Sequence, residues 1–95
     1  MVIPTAIPVT DNAMYPLLNT NMQVGITMGN KDCNSGDIVA VYINDNKENM
    51  LIRTIVFEGD YVILKALNNK EYEDLRYLLK EVTIIGKVHK RIENI

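Results

Sequence analysis

The chain has 95 residues, a hydrophobic fraction of 47% and a net charge of −2. That length suits one small domain with one core, and that composition excludes a disordered chain. An acidic balance with a pI near 5.3 makes the chain as a whole a poor binder of phosphates, so contact with nucleic acid needs a local basic patch or another domain.

The single cysteine, Cys33, rules out an intramolecular disulfide, which suits a reducing cytoplasm. No apolar run approaches the ~18 residues of a membrane span, so no membrane partner is expected. Repeats and low-complexity tracts are absent from the sequence. In chain order, residues 5–10 (TAIPVT) are rich in β-formers, with Pro8 marking a sheet edge or strand entry. Residues 22–27 (MQVGIT) form a second short run, and 28–36 (MGNKDCNSG) read as a loop. Residues 37–43 (DIVAVYI) are almost continuously apolar, as in a strand covered on both faces. The polar NDNKEN turn leads to a strand at 50–57 (MLIRTIVF), and EGD turns it into 61–67 (YVILKAL), a hairpin. Residues 82–92 (VTIIGKVHKRI) read as the closing strand and a sheet edge, with Gly86 at a bulge or a close backbone approach.

Residues 70–80 (KEYEDLRYLLK) fit two descriptions. Leu75, Leu78 and Leu79 recur at helical spacing behind Glu71 and Glu73, which predicts a short helix around 71–80. Anchors at Tyr72, Leu75 and Leu78 fit an extended segment equally well. Every other element is a strand, so the expected fold is mainly β: a small curved sheet or partly open barrel, residues 1–95 forming one domain.

Arg53 is the most informative charge. Strand alternation sets it on one face with Leu51, Ile55 and Phe57, and a guanidinium in an apolar row must be paired or must reach water. It is therefore either an edge-strand residue reaching solvent or part of a polar site on an apolar wall. His89 has no other ligand at metal spacing and reads as a solvated edge residue. Cys33 in its polar loop reads as a structural thiol, and Glu71, Glu73 and Asp74 as a solvated face. Lys87, Lys90 and Arg91 read as charges that discourage edge pairing. No metal or cofactor is expected.

The stretch VTDNAMYPLL has the shape of a catalytic turn, yet its central residue is Ala13. It resembles the nucleophile segment of the LexA-type and phage-repressor C-terminal domains, V-x-x-x-S-M-x-P. NSGDIVAVYI, LIRTIVFEGDYVILKALN and VTIIGKVHKRI resemble that family's following segments in the same order. Signal peptidases share the first three in looser form. The resemblance spans roughly residues 7–92 and implies the family's β fold, with a short helical turn after Met14 that Pro16 starts.

It also implies a site. The family cuts peptide bonds with a Ser–Lys dyad, in which an unprotonated lysine takes the serine proton. Here the serine position is Ala13 and, with Gly59 anchoring the hairpin, the lysine position is Arg53. Alanine offers no nucleophile, and a guanidinium does not serve as a base. Lys47 and Lys65 are the nearest lysines, and Lys65 could serve only in a different register. Ala13 alone also fits an engineered serine replacement. Arg53 weighs toward natural loss, since one replacement traps a protease. Asp11 is the expected partner of Arg53, with Met14, Tyr15 and Pro16 lining the vestigial cleft and Met14 and Tyr15 packed against the sheet.

What the resemblance then implies is the family's second role: an oligomerisation and regulatory domain of a phage- or mobile-element-type transcriptional repressor. Such a domain is a homodimer or higher oligomer in the cytoplasm, and it reaches DNA through an N-terminal helix-turn-helix domain outside this chain. The apolar excess of 37–43 and 82–92 points to the same self-association. Two other readings stay open: a Ser–Lys peptidase whose nucleophile was replaced by Ala13, and a small β domain that binds an antirepressor-type protein.

Overall fold

The computed structural model describes residues 3–20, 22–28, 33–44, 46 and 49–93, with the backbone alone at 3, 4, 28, 91 and 93. Lys47 and part of the 28–36 loop lie outside the described residues. The strands are β1 (Ile3–Pro8), β2 (Met22–Met28), β3 (Ile38–Ile43), β4 (Leu51–Glu58), β5 (Tyr61–Lys65), β6 (Leu75–Leu78) and β7 (Val82–Glu93). They form one antiparallel sheet in the order β1-β2-β7-β3-β4-β5-β6. The mainly-β expectation holds. Among the described residues no helix is long and apolar enough to cross a membrane.

Two apolar clusters cover opposite faces of this sheet. Val39 and Val41 of β3 belong to one cluster and Ala40 between them to the other, and all three are fully buried. That is the structural content of the continuous apolar run: successive side chains leave on opposite faces and both faces are covered. The first cluster joins Val9, Met14, Leu18, Val24, Ile26, Ala40 and Ile52. The second joins Val39, Val41, Ile55, Val62 and Leu64, with Leu75, Tyr77 and Cys33 packed against it. Residues 39–41 therefore leave no apolar surface exposed, while Ile38, Tyr42 and Ile43 are half-buried.

The closing strand is not an edge. β7 lies between β2 and β3, pairing Val82–Lys87 with β3 and Gly86–Glu93 with β2. Twelve residues suffice to pair twice in succession, which a strand of ordinary length does not do. Two register shifts make this possible. Opposite β3, Ala40 pairs with Gly86 and Val41 with Ile84, so Ile85 is the extra residue of a bulge. Opposite β2, Gly25 pairs with Lys90 and Ile26 with Val88, so His89 is extra. The bulge at Ile85 reverses the alternation. Ile84 packs with the second cluster and Val88, four residues on, with the first.

His89 is exposed as expected, but on a central strand, where its place in the bulge frees it from regular pairing. Lys87 is not an edge guard, because it meets Asp37 at 3.2 Å. The side chain of Arg91 lies outside the described residues.

Residues 70–80 do not form a helix. Leu75–Leu78 is a strand paired to β5, and only Leu79–Glu81 closes into one 3-10 turn. Period two wins because it gives Leu75 and Tyr77 the open flank of the second cluster. Arg76, on the other face, lies over the Tyr61 ring at 3.9 Å and meets Glu58 at 3.6 Å. The three leucines at helical spacing would split this inward pair. Glu71, Glu73 and Asp74 are exposed, in line with a solvated face.

The β4–β5 hairpin turns at Gly59 and Asp60, with Gly59 at φ 60°, a left-handed conformation that suits glycine. Gly86 meets a different constraint. A Cβ there would sit 2.7 Å from the Thr27 carbonyl oxygen, which backbone pairing holds in place. At Gly25 the added carbon would meet the flexible Lys90 side chain instead, at 2.8 Å. Gly86→Ala should therefore destabilise by about 1–3 kcal/mol, and Gly25→Ala by less than about 1 kcal/mol. Urea unfolding of the two variants against the parent checks the order.

At the Gly36–Asp37 turn, Asp37 Oδ2 accepts the Asn34 amide at 2.8 Å, and its carboxylate also meets Lys87. The amide, then Lys87, hold the Asp37 carboxyl below its ordinary value of 3.8. A depressed folded pKa adds stability above the unfolded value, and this is lost as pH falls through the folded one. The Tm difference between the parent and Asp37→Asn should be constant near neutrality and shrink below pH 3.8, a window set by this shift. A difference that persists unchanged into acid would contradict this.

Candidate functional site

The segment between β1 and β2, residues 9–20, crosses the sheet instead of turning tightly. Its apolar positions set the path. Val9, Met14 and Leu18 are buried in the first cluster, so the intervening residues are carried across β4. The Leu18 amide donates to the Met14 carbonyl at 2.9 Å and the Tyr15 amide to Asn12 at 3.1 Å. These are hydrogen-bonded turns and not a helix, and the peptide between Tyr15 and Pro16 is cis, so the expected helical turn after Met14 is corrected. Met14 packs inward, but Tyr15 is 53% exposed and Pro16 is exposed too. The expectation that Tyr15 packs against the sheet is corrected. The turn that buries Met14 and Leu18 directs the intervening residues to solvent.

Arg53 is not an edge residue reaching solvent. β4 is internal to the sheet, and Arg53 is the one buried charged side chain among the described residues, 4% exposed. Its compensation comes from Asp11. Arg53 Nη1 donates to Asp11 Oδ1 at 3.2 Å and Nη2 to Oδ2 at 3.1 Å, a two-pronged carboxylate pair. Nη1 also donates to the Ile52 carbonyl at 2.9 Å. The pair is asymmetric, its side chains 5% exposed on Arg53 and 27% on Asp11.

Ala13 belongs to the same site. Its amide donates to Asp11 Oδ1 at 3.1 Å, so one carboxylate oxygen holds both the Ala13 backbone and the Arg53 guanidinium. Ala13 itself is fully buried. The sequence thus named Asp11, Ala13 and Arg53, and the fold brings the three together.

It did not name Asn12, Asn68 and Tyr72 as members. The Asn68 amide donates to the Ala13 carbonyl at 2.8 Å and its side-chain amide to the Asn12 carbonyl at 3.2 Å. The Asn12 amide donates to the Tyr72 hydroxyl at 3.3 Å, and the Arg53 guanidinium lies 5.7 Å from the Tyr72 ring centroid. Asn68 and Tyr72 come from the loop after β5, and no spacing in the sequence links them to residues 11–13. A buried arginine's need for an aromatic or polar lid was the one signal available.

Lys65 does not compete for the role of Arg53. The hairpin register pairs it with Thr54, so it shares the face of Thr54 and lies across the sheet from its neighbour Arg53. Its side chain is exposed.

An open antiparallel sheet, a crossing segment with Ala13 at its turn, and a cation on the strand beneath define a peptidase-like β domain. A family model described as Peptidase S24-like matches residues 5–89, nearly the whole chain, and the chain belongs to that family. No curated protein matches the chain at significant similarity.

Removing Asp11 leaves a buried guanidinium without its counter-charge and the Ala13 amide without its acceptor. Asp11→Ala should therefore cost about 3 kcal/mol, the lower end of the range for broken buried pairs because Asp11 itself is partly exposed. Arg53→Met should cost less, since the stranded carboxylate reaches water. Chemical denaturation of both variants checks the order.

Proposed function

We propose that this chain is an oligomerisation and regulatory domain of a phage- or mobile-element-type transcriptional repressor, and that it performs no peptidase chemistry at Ala13 and Arg53. The observation that carries the reading is the buried Arg53–Asp11 pair beside the Ala13 methyl. A lysine there would act only when unprotonated. This position instead holds a guanidinium paired to a carboxylate, next to a side chain with no nucleophile. A domain of a peptidase family that keeps the fold without the dyad retains pairing as its use. Through it, attached DNA-binding modules gain avidity at two half-sites.

The fold favours one edge for that pairing. β1 carries prolines at 4 and 8, which lack amide donors, whereas β6 carries none. Tyr61 and Leu79, beside β6, are exposed apolar residues. The antirepressor-type alternative draws on another surface. Tyr15, Leu17 and Leu67 are exposed on the two loops that Asn68 ties together.

Sedimentation at tens of micromolar should show a species heavier than the 10.8 kDa protomer, and Leu79→Lys should shift it toward the protomer. A strictly monomeric parent counts against oligomerisation. The peptidase reading has its own arm. Ala13→Ser should cleave neither a peptide nor the full-length parent at neutral or alkaline pH, and cleavage by that variant would favour a peptidase.

A further inference from the structure

The Arg53 site is a built receptor with its occupant inside it. Three donors converge on one carboxylate: Arg53 Nη1 at 3.2 Å, Arg53 Nη2 at 3.1 Å and the Ala13 amide at 3.1 Å. The guanidinium is almost wholly buried, and its Nε is buried with no hydrogen-bond partner among the described residues. Asp11 is the only member of the pair that reaches the surface, so the carboxylate enters from the solvent side. The Tyr72 ring closes another side of the guanidinium, and the Ile52 carbonyl fixes Nη1. Arginine's planar fork matches a carboxylate in two-pronged geometry, which a lysine could not reproduce.

Other contacts besides Asp11 also place the two donors. Arg53 is held by β4, paired to β3 at Val39, and by its bond to Ile52. The Ala13 backbone is held by the Asn68 amide at 2.8 Å, and the segment is pinned by the burial of Met14 and Leu18. None of these contacts involves the Asp11 side chain.

We propose that Arg53 and the Ala13 amide form a carboxylate-binding site whose resident ligand is the chain's own Asp11, and that the site takes a carboxylate from solution when Asp11 is removed. The ligand class is a carboxylate on a small or slender carrier, such as acetate, a peptide C-terminus or an acidic side chain. The inference rests on the geometry alone and stands whether or not the domain oligomerises.

Chemical rescue tests it. Asp11→Ala is melted in sodium acetate, in sodium chloride of equal ionic strength, and in acetamide, the neutral isostere of acetic acid. The parent is run alongside to subtract the general effect of each solute. The proposal expects a saturable rise in the variant's Tm of roughly 5 °C near 100 mM acetate, absent in chloride and in acetamide. The Ala13 and Asn12 amide resonances should shift along the same saturation curve. If the variant is unfolded in chloride, refolding on addition of acetate but not acetamide is the same positive result. Equal behaviour in acetate and chloride overturns the proposal, as does rescue by acetamide as strong as by acetate, or no refolding in any of the three.

Discussion

The reversal of alternation in β7 is the constraint on which the rest of the molecule rests. A sheet of seven strands offers two faces, and the apolar residues of this chain need both. β7 serves the second cluster with Val82 and Ile84 and the first with Val88, because one extra residue at Ile85 turns the strand over between them. Gly86 makes that turn feasible by letting the Thr27 backbone come close. The pairing between the β1–β2 hairpin and the rest of the sheet runs through this strand.

From that follows the placement of the site. With β2 paired to β7 beyond the bulge, the connection from β1 to β2 must cross the first face, and burying Val9, Met14 and Leu18 there lays residues 11–13 against β4. Arg53 is then enclosed by the crossing segment on one side and by the loop carrying Asn68 and Tyr72 on another. The charge is tolerated for a specific reason. A carboxylate supplied from two residues before Ala13 satisfies two guanidinium nitrogens and one backbone amide together.

The same arrangement sets the electrostatics of the site. In a peptidase of this architecture the strand would present a base that must lose its proton, and a carboxylate beside it would oppose that loss. Here the position holds a permanent cation, and the carboxylate is an asset. The electrostatics that would impede a Ser–Lys dyad strengthen the Arg53 site as a fixed joint between segment 9–20 and the sheet.

The sequence by itself determined the strands other than β6, because period-two patterning and turn residues such as Gly59 act locally, over a few residues. It determined that Arg53 needed compensation, since alternation set it among Leu51, Ile55 and Phe57. It nominated Asp11 only through a resemblance that paired the crossing segment with β4. Tertiary structure decided what local chemistry left level. Residues 75–78 became a strand because the second cluster had an open flank for Leu75 and Tyr77, a demand no helical or extended pattern reveals in isolation. It moved β7 from the edge to the centre, since which strands neighbour it depends on burial across the whole sheet. It also brought Asn68 and Tyr72 to the site. They stand more than fifty residues from Asn12 along the chain, and only closure of the two loops over one buried charge makes them neighbours.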